Sequence, residues 1–448
     1  MPPKLPRRIL KPECCQPYFQ RQRLGIVPGG GEPTPPEPQP LYMLWNDILN
    51  APVADPTNVA DWNGTFGWNF TSVEVIGNII NLYGGTNIVI GSGAFFDNFN
   101  LIEIIDYAEC VIEVQDSAFK QTFALTTATF PAVTTLGVNC FESTSSLLNA
   151  NFNSVTTVPD NAFYGSNLSG GISFDSAVTI GANSFATTQI ISCNFDNVTT
   201  IGASAFSSCL GYTNPSFPSC TLSGASAFSD GGAVTANFPL LIDIPAGMFI
   251  NCQSLTTTNF PIAETIAYRA FYDCDLLQID FPLAETMGEE VFVFNANCTV
   301  IDTPNLLHAG MSTFAELDSI VTISIPSLLT GGDDCFSNCA ALETVYIPNC
   351  TTLTSAGGNE FVGCPSLQSL DLSSLIFSGQ QFGGSTDLAD LIFFRNIADT
   401  NIFVVPTGAN GNVIQIDLNA VQQTIDGGNP PGWLLTLISN NTVTVNYI

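Results

Sequence analysis

The chain has 448 residues, 45% of them hydrophobic and only 11% charged, with 9 Lys and Arg against 39 Asp and Glu and a formal net charge of -30. Apolar material on that scale, including 33 Phe, excludes disorder driven by charge. So few cations exclude a broad basic face for nucleic acid, and the lack of any run of about 18 apolar residues excludes a predicted membrane-spanning helix.

The first segment, residues 1–40, is basic and rich in Pro. Six of the nine basic residues lie within it: Lys4, Arg7, Arg8, Lys11, Arg21 and Arg23. Against Glu13, Glu32 and Glu37 they give this segment +3, while the rest of the chain carries 3 basic and 36 acidic residues, a net of -33. Pro2, Pro3, Pro6, Pro12 and Pro17 interrupt every apolar stretch, so no secretory signal is predicted. Such a segment is expected to be extended and to order against a partner. Its aromatics and Cys14-Cys15 favour a docking peptide over a bare linker, with the six cations pairing with acidic grooves of a larger assembly.

Residues 41–90 hold three of the four Trp, Trp45, Trp62 and Trp68, among Asn-rich turns. They are expected to cap the repeats that follow, because a stacked apolar column needs its end closed.

From 91 to 395 a Phe recurs at Phe95, Phe119, Phe141, Phe163, Phe185, Phe206, Phe228, Phe249, Phe271, Phe292, Phe314, Phe336, Phe361 and Phe382. The spacing runs from 21 to 25 residues with a mean near 22. Ten or eleven residues after each comes a second anchor, as in Phe130-Pro131, Phe238-Pro239, Phe260-Pro261 and Ile325-Pro326. Between the anchors, Leu255, Thr258 and Phe260 in one coil and Leu277, Ile279 and Phe281 in the next give the alternation of a short strand. Pro then withholds the next ladder donor. One coil cannot bury its own Phe, but stacked coils can, so the pattern predicts a β-rich solenoid of about fourteen coils, on the order of 65 Å long if strands pair at about 4.8 Å. Gly, as in Ile180-Gly181 and Ile201-Gly202, is expected to supply the corner. After Arg395 the pattern changes to Val413-Ile414-Gln415-Ile416 and Thr442-Val443-Thr444-Val445, predicting a β-rich C-terminal cap or small distal domain over 396–448, with a possible oligomer contact.

The strings Ile180-Gly181-Ala182-Asn183-Ser184-Phe185 and Ile201-Gly202-Ala203-Ser204-Ala205-Phe206-Ser207-Ser208-Cys209 resemble the repeat of BspA-like leucine-rich repeat proteins, as do Ala270-Phe271-Tyr272-Asp273-Cys274 and Cys335-Phe336-Ser337-Asn338-Cys339. The resemblance covers residues 90 to about 395 and implies a leucine-rich repeat solenoid. Gly288-Glu289-Glu290-Val291-Phe292 and Gly357-Gly358-Asn359-Glu360-Phe361 depart from it, placing carboxylates where small residues are usual, and are expected to mark altered corners. The stretch from Leu44-Trp45-Asn46-Asp47-Ile48 to Asp61-Trp62-Asn63 also resembles short segments of phage appendage proteins.

Chemistry-bearing residues are few. Cys209, Cys252, Cys274, Cys339 and Cys364 all fall three residues after a Phe, a slot expected to hold small buried hydrophobes as free thiols. Adjacent coils also bring Cys252 near Cys274 and Cys339 near Cys364, within bridging reach. There is no C-x-x-C pair, and the single histidine, His308, rules out the common zinc sites that need more than one. His308 sits in a repeat strand with no triad around it. No lysine follows Gly, so a Walker A loop is absent. Glu264 and Glu285 recur in matching corners, whereas an acid/base pair needs two different environments. No enzyme, cofactor or metal is therefore expected.

The composition and the resemblances together suggest a non-enzymatic virion structural protein. In this reading a fibre-like appendage, assembled in the host cytoplasm, docks to other capsid or tail proteins through residues 1–40. A homo-oligomer would present the solenoid to a host-surface glycan or protein, with no nucleic acid or membrane as partner. The alternative is a cellular surface adhesin or interaction scaffold of the leucine-rich repeat class.

Overall fold

The computed structural model describes residues 38–353, Gly363, Cys364, Ser366 and the backbone of a strand at Ser369–Asp371. Residues 396–448, and the anchors Phe361 and Phe382, lie outside them. The architecture is a β-solenoid whose twelve described coils each turn on one of the Phe anchors from Phe95 to Phe336.

Ten of the twelve described coils carry two short strands where the sequence suggested one; the Phe185 coil has only the second, and in the Phe206 coil the longer one shrinks to an isolated bridge at Ser216. The longer follows the alternating residues, as in Thr127–Thr129, which pairs in parallel with Asn149–Asn151 one coil on. The second, two residues long from Thr135–Leu136 on, is in most coils a Thr or other polar residue followed by an apolar one, as in Thr179–Ile180 paired in parallel with Thr200–Ile201. Two residues are too few to show a period, which is why this strand escapes sequence reading. The third side has no strand but is still hydrogen-bonded. The amide of each anchor from Phe95 to Phe314 donates to a carbonyl of the next coil, as from Phe141 to Ala162 (2.8 Å) and from Phe206 to Ala227 (2.7 Å).

The core is the Phe column itself. Eleven successive anchor pairs from Phe95 to Phe336 stack with ring centroids 4.8 to 5.9 Å apart and planes within 13°. The second anchors, Phe130, Phe152, Phe174, Phe195, Phe217, Phe238, Phe260 and Phe281, are buried beside them. Thr303, Ile325 and Ile347 then take over that column and are buried as well. Burial of this extent is the dominant stabilising term.

At the start of the solenoid, β1 (Leu41–Trp45) pairs antiparallel with β3 (Ile79–Tyr83) and with the strand Leu101–Asp106, and β2 (Ser72–Ile76) pairs with β3. The first parallel strands thus continue an antiparallel sheet. Between β1 and β2 lies helix α1 (Val59–Phe66), started by the Asn58 side chain accepting from the Ala60 amide and ended by Gly67 at φ 70. That is an ordinary N-cap and left-handed C-cap pair. Phe66 stacks on Phe95 (5.5 Å) and on Trp68 (4.5 Å), and Trp45 meets Phe95 at 6.3 Å. Aromatic packing therefore continues beyond the first coil.

Three local expectations are corrected. Gly181 and Gly202 do not supply a corner through positive φ. A Cβ on Gly202 would lie 2.5 Å from the Ala182 nitrogen, so the residue is small because the neighbouring backbone stacks against it. The positive φ values fall instead two residues before and after the Phe, as at Asn139 and Ser143 or Ser204 and Ser208. Leu277 points outward, half exposed, while Leu276 fills the inward position of Leu255. In this coil the second anchor comes ten positions after the first rather than eleven, which moves the inward site back by one. Glu289-Glu290 leave the corner unaltered, since Glu290 adopts φ 55 like its counterparts and its amide donates to Met311 (2.7 Å).

Candidate interaction surface

The longer strands turn their end residues outward and their middle residue into the core. The outward side chains bond along the ladder: Asn259 Nδ2 donates to Asn237 Oδ1 (2.7 Å), Asn237 Nδ2 to Ser216 Oγ (2.9 Å) and Thr235 Oγ1 to Asn214 Oδ1 (2.9 Å). On the second ladder the outward row reads Asp243, Thr265, Thr286, His308, Thr330 and Thr352 in consecutive coils. His308 is exposed in this row, with Nδ1 2.8 Å from Thr330 Oγ1. Glu264 and Glu285 are both exposed in matching positions, the Glu285 amide donating to the Glu264 carbonyl (2.9 Å). The result is two long polar faces with a repeat of one coil.

The recurring Cys slot does more than fill space. Cys209 Sγ donates to the carbonyl of Phe185 (3.0 Å), Cys252 to Phe228 (3.1 Å), Cys274 to Phe249 (3.1 Å), Cys339 to Phe314 (3.2 Å) and Cys364 to Phe336 (3.2 Å). Thr122, Ser166 and Asn295 serve the same carbonyl in their coils at 2.8, 2.7 and 2.9 Å. In these coils the slot therefore holds a small buried donor for a carbonyl that the turn leaves open, which corrects the purely hydrophobic expectation. Thr, Ser and Asn at the same offset were the available signal. These five thiols are free. Burial pushes Cys209 up to about 11 and Cys252 up to about 12, so both remain protonated donors.

Lys120 and Arg269 are the only basic residues among the described ones. Each is held by a carboxylate one coil on, Lys120 Nζ by Glu142 (2.8 Å) and Arg269 Nη2 by Glu290 (2.6 Å). The Arg269 guanidinium also lies over Tyr268 (4.8 Å) and Tyr272 (4.9 Å), and Tyr272 meets Phe294 edge-on at 5.3 Å. This group was not anticipated, because a search for recurrence passes over residues that break it. Among the described residues no three His, Cys, Asp or Glu gather to hold a metal ion, and no helix is long and apolar enough to cross a membrane. The expected docking residues Lys4, Arg7, Arg8, Lys11, Arg21 and Arg23 lie outside the described residues.

The model of the BspA type leucine rich repeat region matches residues 79–185, 178–301 and 285–403, in six copies. Among solved structures, a leucine-rich repeat protein from Bacteroides ovatus is similar at 17% identity and a TM-score of 0.36, covering 66% of this chain and 84% of its own. A leucine rich cell surface protein from Faecalibacterium prausnitzii gives 16% and 0.28, covering 61% and 84%. The pneumococcal vaccine antigen PcpA gives 14% and 0.35, covering 67% and 80%. No curated protein matches the chain.

Proposed function

Because the chain belongs to the BspA-type leucine-rich repeat family, we propose that it is a non-enzymatic adhesion or protein-interaction solenoid that works at a cell surface. The observation that carries this reading is the pair of outward ladders, rows of Thr, Asn, Ser and Asp repeated coil after coil on a rigid Phe core. A periodic polar face suits many weak contacts in parallel, so that binding rests on avidity rather than on one deep site. The virion reading rests on residues 1–40 and one short Trp-containing segment, and the family match supports the surface-protein alternative instead.

Beads carrying the full chain test this by adhesion to a panel of bacterial and animal cells. Changing Thr235, Thr257 and Asn259 to Lys should lower the unfolding midpoint, because ladder bonds are lost and like charges meet. The variant should keep the native circular dichroism at the assay temperature yet lose most of the adhesion, and Lys at Thr265, Thr286 and Thr330 should do so on the other ladder. If neither set alters adhesion, the solenoid is a spacer and the reading fails.

A further inference from the structure

Two residues after each Phe the backbone turns left-handed, and the chain fills that place with residues that tolerate it or stay polar: Gln121, Ser143, Thr187, Ser208, Asp230, Asn251, Asp273, Glu316 and Asn338. Phe294, at φ 65, is the aromatic exception. A bulky ring in this region is disfavoured, and burial does not compensate, because Phe294 is 45% exposed. A costly exposed ring held where Asn would be easier is the kind of outlier that points to function.

Its surroundings define the ligand. Asp273 and Glu316 occupy the same place in the coils on either side of Phe294, about 4.8 Å away along the stack. Their carboxylates accept from amides, Asp273 Oδ2 from Gln253 (2.8 Å) and Glu316 Oε1 from Asn338 (3.0 Å). Among the described residues neither is in an ion pair, and the two cations there, Lys120 and Arg269, are held by other glutamates. Tyr272 buttresses the Phe294 ring edge-on, and Arg269, fixed by Glu290, in turn covers Tyr272. We propose that Phe294, with Asp273 and Glu316, forms a site for a Lys or Arg side chain presented by a basic segment of a protein partner. The ring face attracts a cation, and the flanking carboxylates supply hydrogen-bond acceptors and charge. The net charge of -30 would steer such a partner and repel an anionic one. This deepens the interaction reading above and rests on it for biological meaning.

The test is fluorescence anisotropy of labelled oligolysine and oligoarginine peptides against the full chain, at a salt concentration that screens diffuse surface charge. Phe294→Asn installs the residue already present at Asn251 and Asn338, so the fold should be at least as stable. Peptide affinity should nevertheless fall about two- to fivefold, as loss of an exposed cation–π contact predicts, and Asp273→Asn with Glu316→Gln should weaken it similarly. Tyr164→Asn, beside a Glu142 already held by Lys120, should change nothing. Unchanged peptide affinity in Phe294→Asn overturns the site, as does a neutral oligosaccharide that binds the native chain and is lost in Phe294→Asn. The two readings fail separately. Adhesion that persists while peptide affinity ignores Phe294 rejects the site alone, and a Phe294-dependent peptide affinity in a chain that adheres to no cell rejects the adhesion reading alone.

Discussion

At the residue scale, the position three after each Phe shows how a polar requirement hides inside a hydrophobic pattern. Asn295 meets it most fully, donating to the carbonyls of Phe271 and Phe292 (both 2.9 Å) and accepting from the Leu276 amide (3.0 Å). Leu317 shows that a leucine fits the same place sterically. Asn295→Leu therefore isolates the hydrogen bonds. It should destabilise the protein by about 2–4 kcal/mol, because the buried Phe271 carbonyl and Leu276 amide lose their partner, while the Phe292 carbonyl keeps only the residue's own backbone amide. Cys252→Thr keeps a donor and should cost less than about 1 kcal/mol. Equal losses in urea midpoints for the two variants would show that the slot is only a matter of volume. The recurrence of Cys was legible in the sequence. Its role was not, because an open carbonyl is a property of the turn and leaves no mark on residue type until Thr, Ser and Asn at the same offset are counted with it.

At the scale of the element, the coil is legible where its signal is a large side chain and hidden where the signal is backbone. The 22-residue period and the stacked Phe column follow directly from Phe spacing, and the family match agrees with the fold so read. The two-residue second strand and the left-handed positions flanking each Phe do not, since Asn, Ser, Asp, Arg, Glu and Phe all occupy the latter. Glycine misled for a related reason: Gly202 is needed for close approach between coils, a contact set by the neighbour 20 residues away rather than by its own φ. One element carries a visible defect. In the second anchor column Thr303 stands where the preceding coils have Phe, and its hydroxyl is buried without a hydrogen-bond partner. Thr303→Val preserves the shape and removes the unmet group, so the thermal midpoint should rise by the equivalent of about 1 kcal/mol. A lowered midpoint would mean that the hydroxyl does have a partner.

At the scale of the molecule, charge and repetition have one origin. Corners built on left-handed backbone favour Asn, Asp, Ser and Gly, and outward ladders are filled with Thr and Asn, so the array is sparsely charged and almost free of cations. The two cations among its described residues, Lys120 and Arg269, are each paired with a glutamate within it. What remains is a long, stiff, polar surface suited to binding by many small contacts. Which partner it meets was not legible, because periodic consensus residues describe the scaffold, and recognition falls to residues that depart from it, as Phe294 does. The most direct test is a binding isotherm of the fluorescent full chain on intact cells, measured with and without excess unlabelled chain. Saturable binding that unlabelled chain displaces is the predicted result. Binding that rises linearly and resists competition on every cell type would contradict an adhesion or interaction role.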